Sequence, residues 1–241
     1  MISQPVPIDF YGADLGLVAG ASSEQLWREA NIWCGPDGVN GFGGVANVGG
    51  ITASSNATVG ASATALQGWS ATTNTTNGNI CRLDYGANFR YFCFNHNVQF
   101  VAQMAISSIT SVRVWCGICS ADGGTQGASL TPSTSYAAFR FSTGAGGNSN
   151  WTCCTDNGSG TPNVIDSGVA ATTSDFLFGL RTDAGTGLVR FYINSVQVAT
   201  TTTKVDTSTT TLFPVLCLTL LAGGSSKTLT WRYVNTRVKA T

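Results

Sequence analysis

The stretch LVRFYINSVQVAT, Leu188 to Thr200, decides how the chain is read. With Asn194-Ser195 as a two-residue turn, Ile193 faces Val196, Phe191 faces Val198 and Val189 faces Thr200. On the other side Tyr192 faces Gln197 and Arg190 faces Ala199. One apolar face and one mixed face is the pattern of antiparallel strands that cover a core on one side. The turn departs from the preferred Asn-Gly, so Ser195 carries a side chain at positive φ, at a cost on the order of 1 kcal/mol. A slip by one residue would turn Phe191 and Ile193 outward, which fixes the register.

Working outward, Leu66 onward keeps a period of two nearly everywhere. NICRLDYG and NFRYFCF lead to NVQFVAQMAI, then TSVRVWCGICS, SYAAFRFS, NSNWTCCTD, DFLFGLRTD, the hairpin, TLFPVLCLTL and SKTLTWRYVNTRV. Short strands punctuated by Gly, Asn, Asp and Ser, with no intervening helices, predict an all-β sandwich or jelly roll over residues 66–241. No fixed repeat occurs, which excludes a propeller or solenoid.

Residues 1–65 read differently. Pro5 and Pro7 predict an extended arm, and SSEQLWREANIW, Ser22 to Trp33, predicts the one short helix, capped by Ser22 or Ser23. Gly35 to Ala65 is rich in Gly, Ala, Ser and Thr; Phe42, Val45, Val48 and Ile51 in it point to an extended segment laid along a partner.

Only 10% of the 241 residues are charged, with 12 basic and 12 acidic side chains. So uncharged a surface predicts cover by an oligomer or assembly. Without a basic run, nucleic acid is not an expected partner. MISQPVPIDFYGADLGLVAG has no basic n-region and no membrane-length apolar run, so a cytoplasmic site of synthesis and no membrane partner are expected. The eight cysteines then read as reduced thiols, while a secreted protein would pair them.

The order FRFSTG, NWTCCTDNGSG, VIDSGVA, DFLFGLRTDAGTGLVRFYINSVQVAT and KTLTWRYV resembles the concanavalin A-like (laminin-G-like) jelly-roll virion proteins of tailed bacteriophages. The likeness spans roughly residues 66–238 and departs from the family's usual glycine at Ser195. It implies a concanavalin A-like sandwich in a capsid decoration (cement) protein or a tail-fibre component. For the decoration protein it further implies a homotrimer on the outer capsid surface, bound to the major capsid protein.

Chemical sites are sparse. In an extended strand Cys116 and Cys119 of C-x-x-C point to opposite faces, as do Cys153 and Cys154, so none of these pairs chelates a metal. Hydrolases of this jelly-roll type place glutamates at E-x-D-x-E spacing, and no such motif occurs. The strand-region acids, Asp84, Asp122, Asp156, Asp166, Asp175, Asp183 and Asp206, sit mostly beside turn residues. His96, the single histidine, has no G-x-S-x-G serine to serve. DNGSG and DAGTG offer too few oxygens for calcium and read as hairpin loops. The reading is therefore a non-enzyme without cofactor or metal. Trp69, Trp115, Trp151 and Trp231 read as core. Phe10, Tyr11, Trp27, Trp33 and Phe42 lie outside the sandwich pattern and are the candidate capsid contacts; packing on their own subunit is the open alternative. The other functional class is a lectin-like or tail-fibre module that binds glycan.

Overall fold

The computed structural model describes residues 27–35, 38–39, 58–61, 69–84, 93–94, 96–144, 146–183, 185–208 and 210–239. Two antiparallel sheets face each other. The first runs in the order β13-β12-β11-β6-β15-β1-β2, where these are Val196–Thr201, Leu188–Ile193, Phe176–Asp183, Asn97–Ile106, Thr228–Lys239, Trp27–Gly35 and Gly38–Val39. Two further strands, β4 (Trp69–Thr72) and β3 (Thr58–Ala61), pair beside the start of β15. The second sheet runs β10-β9-β8-β7-β14-β5, where these are Asn163–Ala170, Asn148–Asn157, Ser135–Ser142, Val112–Cys119, Phe213–Leu220 and Ile80–Asp84.

Alternation along the strands builds the core between the sheets. Phe139 of β8 meets Phe178 of β11 and Phe191 of β12, with ring centroids 4.8 and 5.3 Å apart. Trp151 of β9 packs edge-on to Phe178 at 4.7 Å. Such rings carry most of the apolar area that holds a sandwich together.

The opening hairpin forms β12 and β13. Asn194 and Ser195 have φ of 50° and 69°, as a type I′ turn requires. Ile193 pairs Val196 and Tyr192 pairs Gln197 as expected, but a bulge at Val198 then shifts the register, so Phe191 pairs Ala199 and Val189 pairs Thr201. The extra residue leaves both Val198 and Ala199 packed against the core.

The expected helix at Ser22 to Trp33 is a correction. From Trp27 the chain is strand β1, in register with β15 from Trp27↔Lys239 to Trp33↔Tyr233. Backbone pairing along β15 overrides the local helical spacing of Leu26, Trp27 and Ala30. Residues 22–26 lie outside the described residues. The sheet therefore takes in strands on the N-terminal side of residue 66, where the sequence places an arm. The one α-helix among the described residues is instead α1, Gly123–Ala128, between β7 and β8.

Candidate functional site: a roofed arginine and aromatic layer

Every residue of β8 and of β14 is buried, which a sheet with one face in water does not allow. The register explains it. Because Phe139 and Cys116 face the first sheet, their neighbours Arg140, Tyr136, Trp115 and Cys119 face the other way. Thr152, Cys154 and Asp156 of β9 and Val215 and Cys217 of β14 share that outer face.

A segment between β7 and β8 roofs this layer. Asp122 caps α1 by accepting from the backbone N–H of Thr125 at 2.8 Å. Three arginines of the sheet hold the roof. Arg82 on β5 donates to Asp122 at 2.7 Å, Arg113 on β7 to the Gly127 carbonyl at 3.1 Å, and Arg140 on β8 to the Leu130 carbonyl at 2.8 Å. The Thr219 hydroxyl of β14 adds a bond to the same Gly127 carbonyl at 2.8 Å. Glycine is needed at 127 because a Cβ there would lie 2.8 Å from Thr219 Oγ1 and 3.2 Å from Cys217 Sγ.

Inside the layer the Arg140 guanidinium lies 5.6 Å from the centroid of Trp115, whose ring meets Tyr136 edge-on at 5.2 Å. Burial, and then the neighbouring Arg140 charge, lowers the Arg113 pKa. Burial, with Cys154 and Asp156 next, pushes the Tyr136 phenol up. Burial likewise raises the thiols of Cys116, Cys153 and Cys154, and Cys81 is pushed up to about 12. These thiols are protonated hydrophobes, not nucleophiles. Among the fully buried polar atoms of the roofed layer, Arg113 Nε, Trp115 Nε1, Gln126 Nε2, Tyr136 OH and Asp156 Oδ2 have no protein partner.

Asp156 and Asp166 of this face do not form a catalytic pair. Asp156 and Asp166 stand at the register positions of Tyr136 and Thr152, four residues apart along β9. That is roughly 13 Å, longer than either glycosidase geometry. Asp156 Oδ1 already accepts from the Ser159 N–H and hydroxyl at 2.7 and 3.0 Å, closing the DNGSG loop. Asp183 does the same in DAGTG, accepting from Gly185 N–H at 3.1 Å. Cys116 and Cys119 face opposite sides of β7.

Of the sequence-derived contact residues, Phe10, Tyr11 and Phe42 lie outside the described residues, and Trp27 and Trp33 are placed only by backbone, on β1. Trp115, expected in the core from the sequence, is a fully buried member of the core cluster, on the roofed side of its sheet. The signal for the roof is slight: Asp122 three residues ahead of Thr125 is the only capping pattern in a Gly-rich stretch.

No family model and no curated protein matches the chain. Solved structures do. The endo-β-1,4-glucuronan lyase of Trichoderma reesei aligns with TM-score 0.55 at 9% identity, over 89% of this chain and 95% of that one. The β-glucanase of Bacillus licheniformis aligns at 0.50 and 10%, over 90% and 92%. A botulinum neurotoxin type C structure, described by its interaction with two ganglioside molecules, aligns at 0.53 and 9% over 86% of this chain; the match spans 46% of that chain, about half its length. At these identities the likeness concerns the fold, which is the concanavalin A-like jelly-roll sandwich expected from the sequence.

Proposed function

We propose that the protein is a structural virion protein: a capsid decoration protein of a tailed bacteriophage, without catalytic activity, that binds and stabilises the major capsid protein shell as a homotrimer. One observation carries the non-catalytic part of this reading. The outer face of the six-stranded sheet is filled by the chain's own roof and clamped by Arg82, Arg113 and Arg140, which leaves no open cleft along it for a polymer. The low charge and the hairpin and closing-strand motifs support the assembly part. Stabilisation would follow by mass action, since a ligand that binds only the assembled shell shifts it away from disassembly. Co-sedimentation with capsids that lack the protein tests it. Saturable binding that raises the capsid melting temperature is the expected result, and no binding at any capsid concentration would contradict it.

A second reading, a glycan-binding tail-fibre module, rests on the partnerless polar atoms beneath the roof and on the neurotoxin neighbour described by its ganglioside interaction. It requires the roof to open. Saturable binding to immobilised glycans, lost in Tyr136→Phe or Arg113→Met, would favour it over capsid decoration.

A further inference from the structure

The polar groups beneath the roof do not balance. Of those without a protein partner, Tyr136 OH and Asp156 Oδ2 belong to residues that stand opposite each other on β8 and β9. A phenol that donates and a carboxylate that accepts complement one another, directly or through one water. Arg113 Nε, Trp115 Nε1 and Gln126 Nε2 differ, because each can only donate. The carbonyls of the roof are already engaged: Gly127 accepts from both Arg113 and Thr219, and Leu130 accepts from Arg140. The Gln126 side-chain oxygen accepts from the Thr134 hydroxyl at 2.9 Å, which leaves its amide nitrogen over.

The three donors belong to one patch. Arg113 and Trp115 lie two residues apart on the same face of β7, about 7 Å between Cα atoms. Gln126 is fully buried and directly precedes Gly127, whose carbonyl holds the Arg113 guanidinium at 3.1 Å. Charge is unbalanced in the same place. Arg140 stands opposite Trp115, and after burial it is the charge that lowers the Arg113 pKa. Among the described residues neither Arg113 nor Arg140 has a carboxylate within ion-pair distance.

A water does not settle this imbalance, because it accepts two hydrogen bonds and brings two hydrogens that need acceptors of their own. A halide ion accepts from all three donors, brings no hydrogen and supplies the missing negative charge. The roof is seated too closely for a larger oxyanion: a Cβ added at Gly127 would already meet Thr219 Oγ1 at 2.8 Å.

We infer that a chloride ion is bound beneath the closed roof, held by Arg113 Nε, Trp115 Nε1 and Gln126 Nε2 with the Arg140 charge beside it. The site goes beyond the capsid reading and holds whether or not that reading does; unlike the glycan reading, it requires the roof to stay shut.

Unfolding of the full-length protein in chloride and in gluconate, at constant ionic strength, tests the site. Chloride at about ten times its dissociation constant should raise the folding equilibrium constant about tenfold. Bromide should replace chloride, and sulfate should not. Gln126→Glu sets a carboxylate beside the same donors and should abolish the chloride dependence, as should Arg113→Met, which removes a donor. Crystals grown in bromide should show an anomalous peak within hydrogen-bond distance of Trp115 Nε1. Equal stability in chloride and gluconate overturns the inference, and so does a chloride effect of the same size in Gln126→Glu, which would be a general effect of salt. Should both variants fail to fold, the bromide peak in the wild type decides alone, and its absence at that position overturns the inference.

Discussion

Arg140 lies over the ring of Trp115 and at the same time donates to the carbonyl of Leu130, so one guanidinium joins sheet, aromatic layer and roof. Arg140 is 4% exposed and Trp115 fully buried. Arg140→Ala removes the stacking and leaves the Leu130 carbonyl without its donor. The expected loss is about 2–4 kcal/mol. Urea unfolding should show a lower midpoint with an unchanged slope.

Gly127 tests whether the roof is seated as tightly as its contacts imply. Gly127→Ala places a methyl against Thr219 Oγ1 and Cys217 Sγ, so the roof must lift. A destabilisation of about 1–3 kcal/mol is expected. Hydrogen exchange should accelerate at residues 122–131 and leave β6 and β11 unchanged; uniform acceleration would mean the roof is not a separate unit.

At the hairpin, Ser195→Gly should stabilise. Ser195 has φ of 69°, a region that penalises any Cβ, whereas Asn194 tolerates φ of 50° and accepts from the Leu177 N–H at 3.0 Å. A gain of about 0.5–1 kcal/mol, read as a higher melting temperature, is expected. Asn194→Ala should lose stability instead.

The pH dependence has two limbs. Burial raises the thiols of Cys81, Cys116, Cys153 and Cys154, so the folded state holds protons that the unfolded state releases above its ordinary thiol pKa. Stability from this source is complete below about pH 8 and falls as the solution becomes more alkaline. Burial alone would raise Asp206, but hydrogen bonds from Ser135 and Ser208 outweigh it and hold the carboxyl below its ordinary value. Asp122 is lowered in the same sense by Thr125 and Arg82. Their contribution is present at neutral pH and lost as pH falls below about 4. Unfolding titrations should show both limbs. In the native state these four thiols should resist alkylation at about pH 8 and react on denaturation.

Much of the sandwich was legible because strands covering a core on one side show their period: β12 alternates as read, and the turn at Asn194-Ser195 follows from two residues. The roofed layer was not legible. FPVLCLTL and SYAAFRFS are buried on both faces, and such strands look alike whichever layer a residue belongs to. The roof helix GGTQGA holds three glycines and has little helix propensity. Arginines from three different strands, β5, β7 and β8, hold it in place. The opposite error at Ser22 to Trp33 has the same origin, because helical spacing was local and the pairing of β1 with β15 was not.

Copy number tests most directly the proposal that this sandwich serves as a structural part of a virion head. Purified particles should be separated on a denaturing gel and the band of this chain compared with that of the major capsid protein. A near-stoichiometric band is the predicted result. Absence of the band would contradict the account, and a faint band of a few copies per particle would contradict decoration of the head and leave the glycan-binding tail module as the reading that stands.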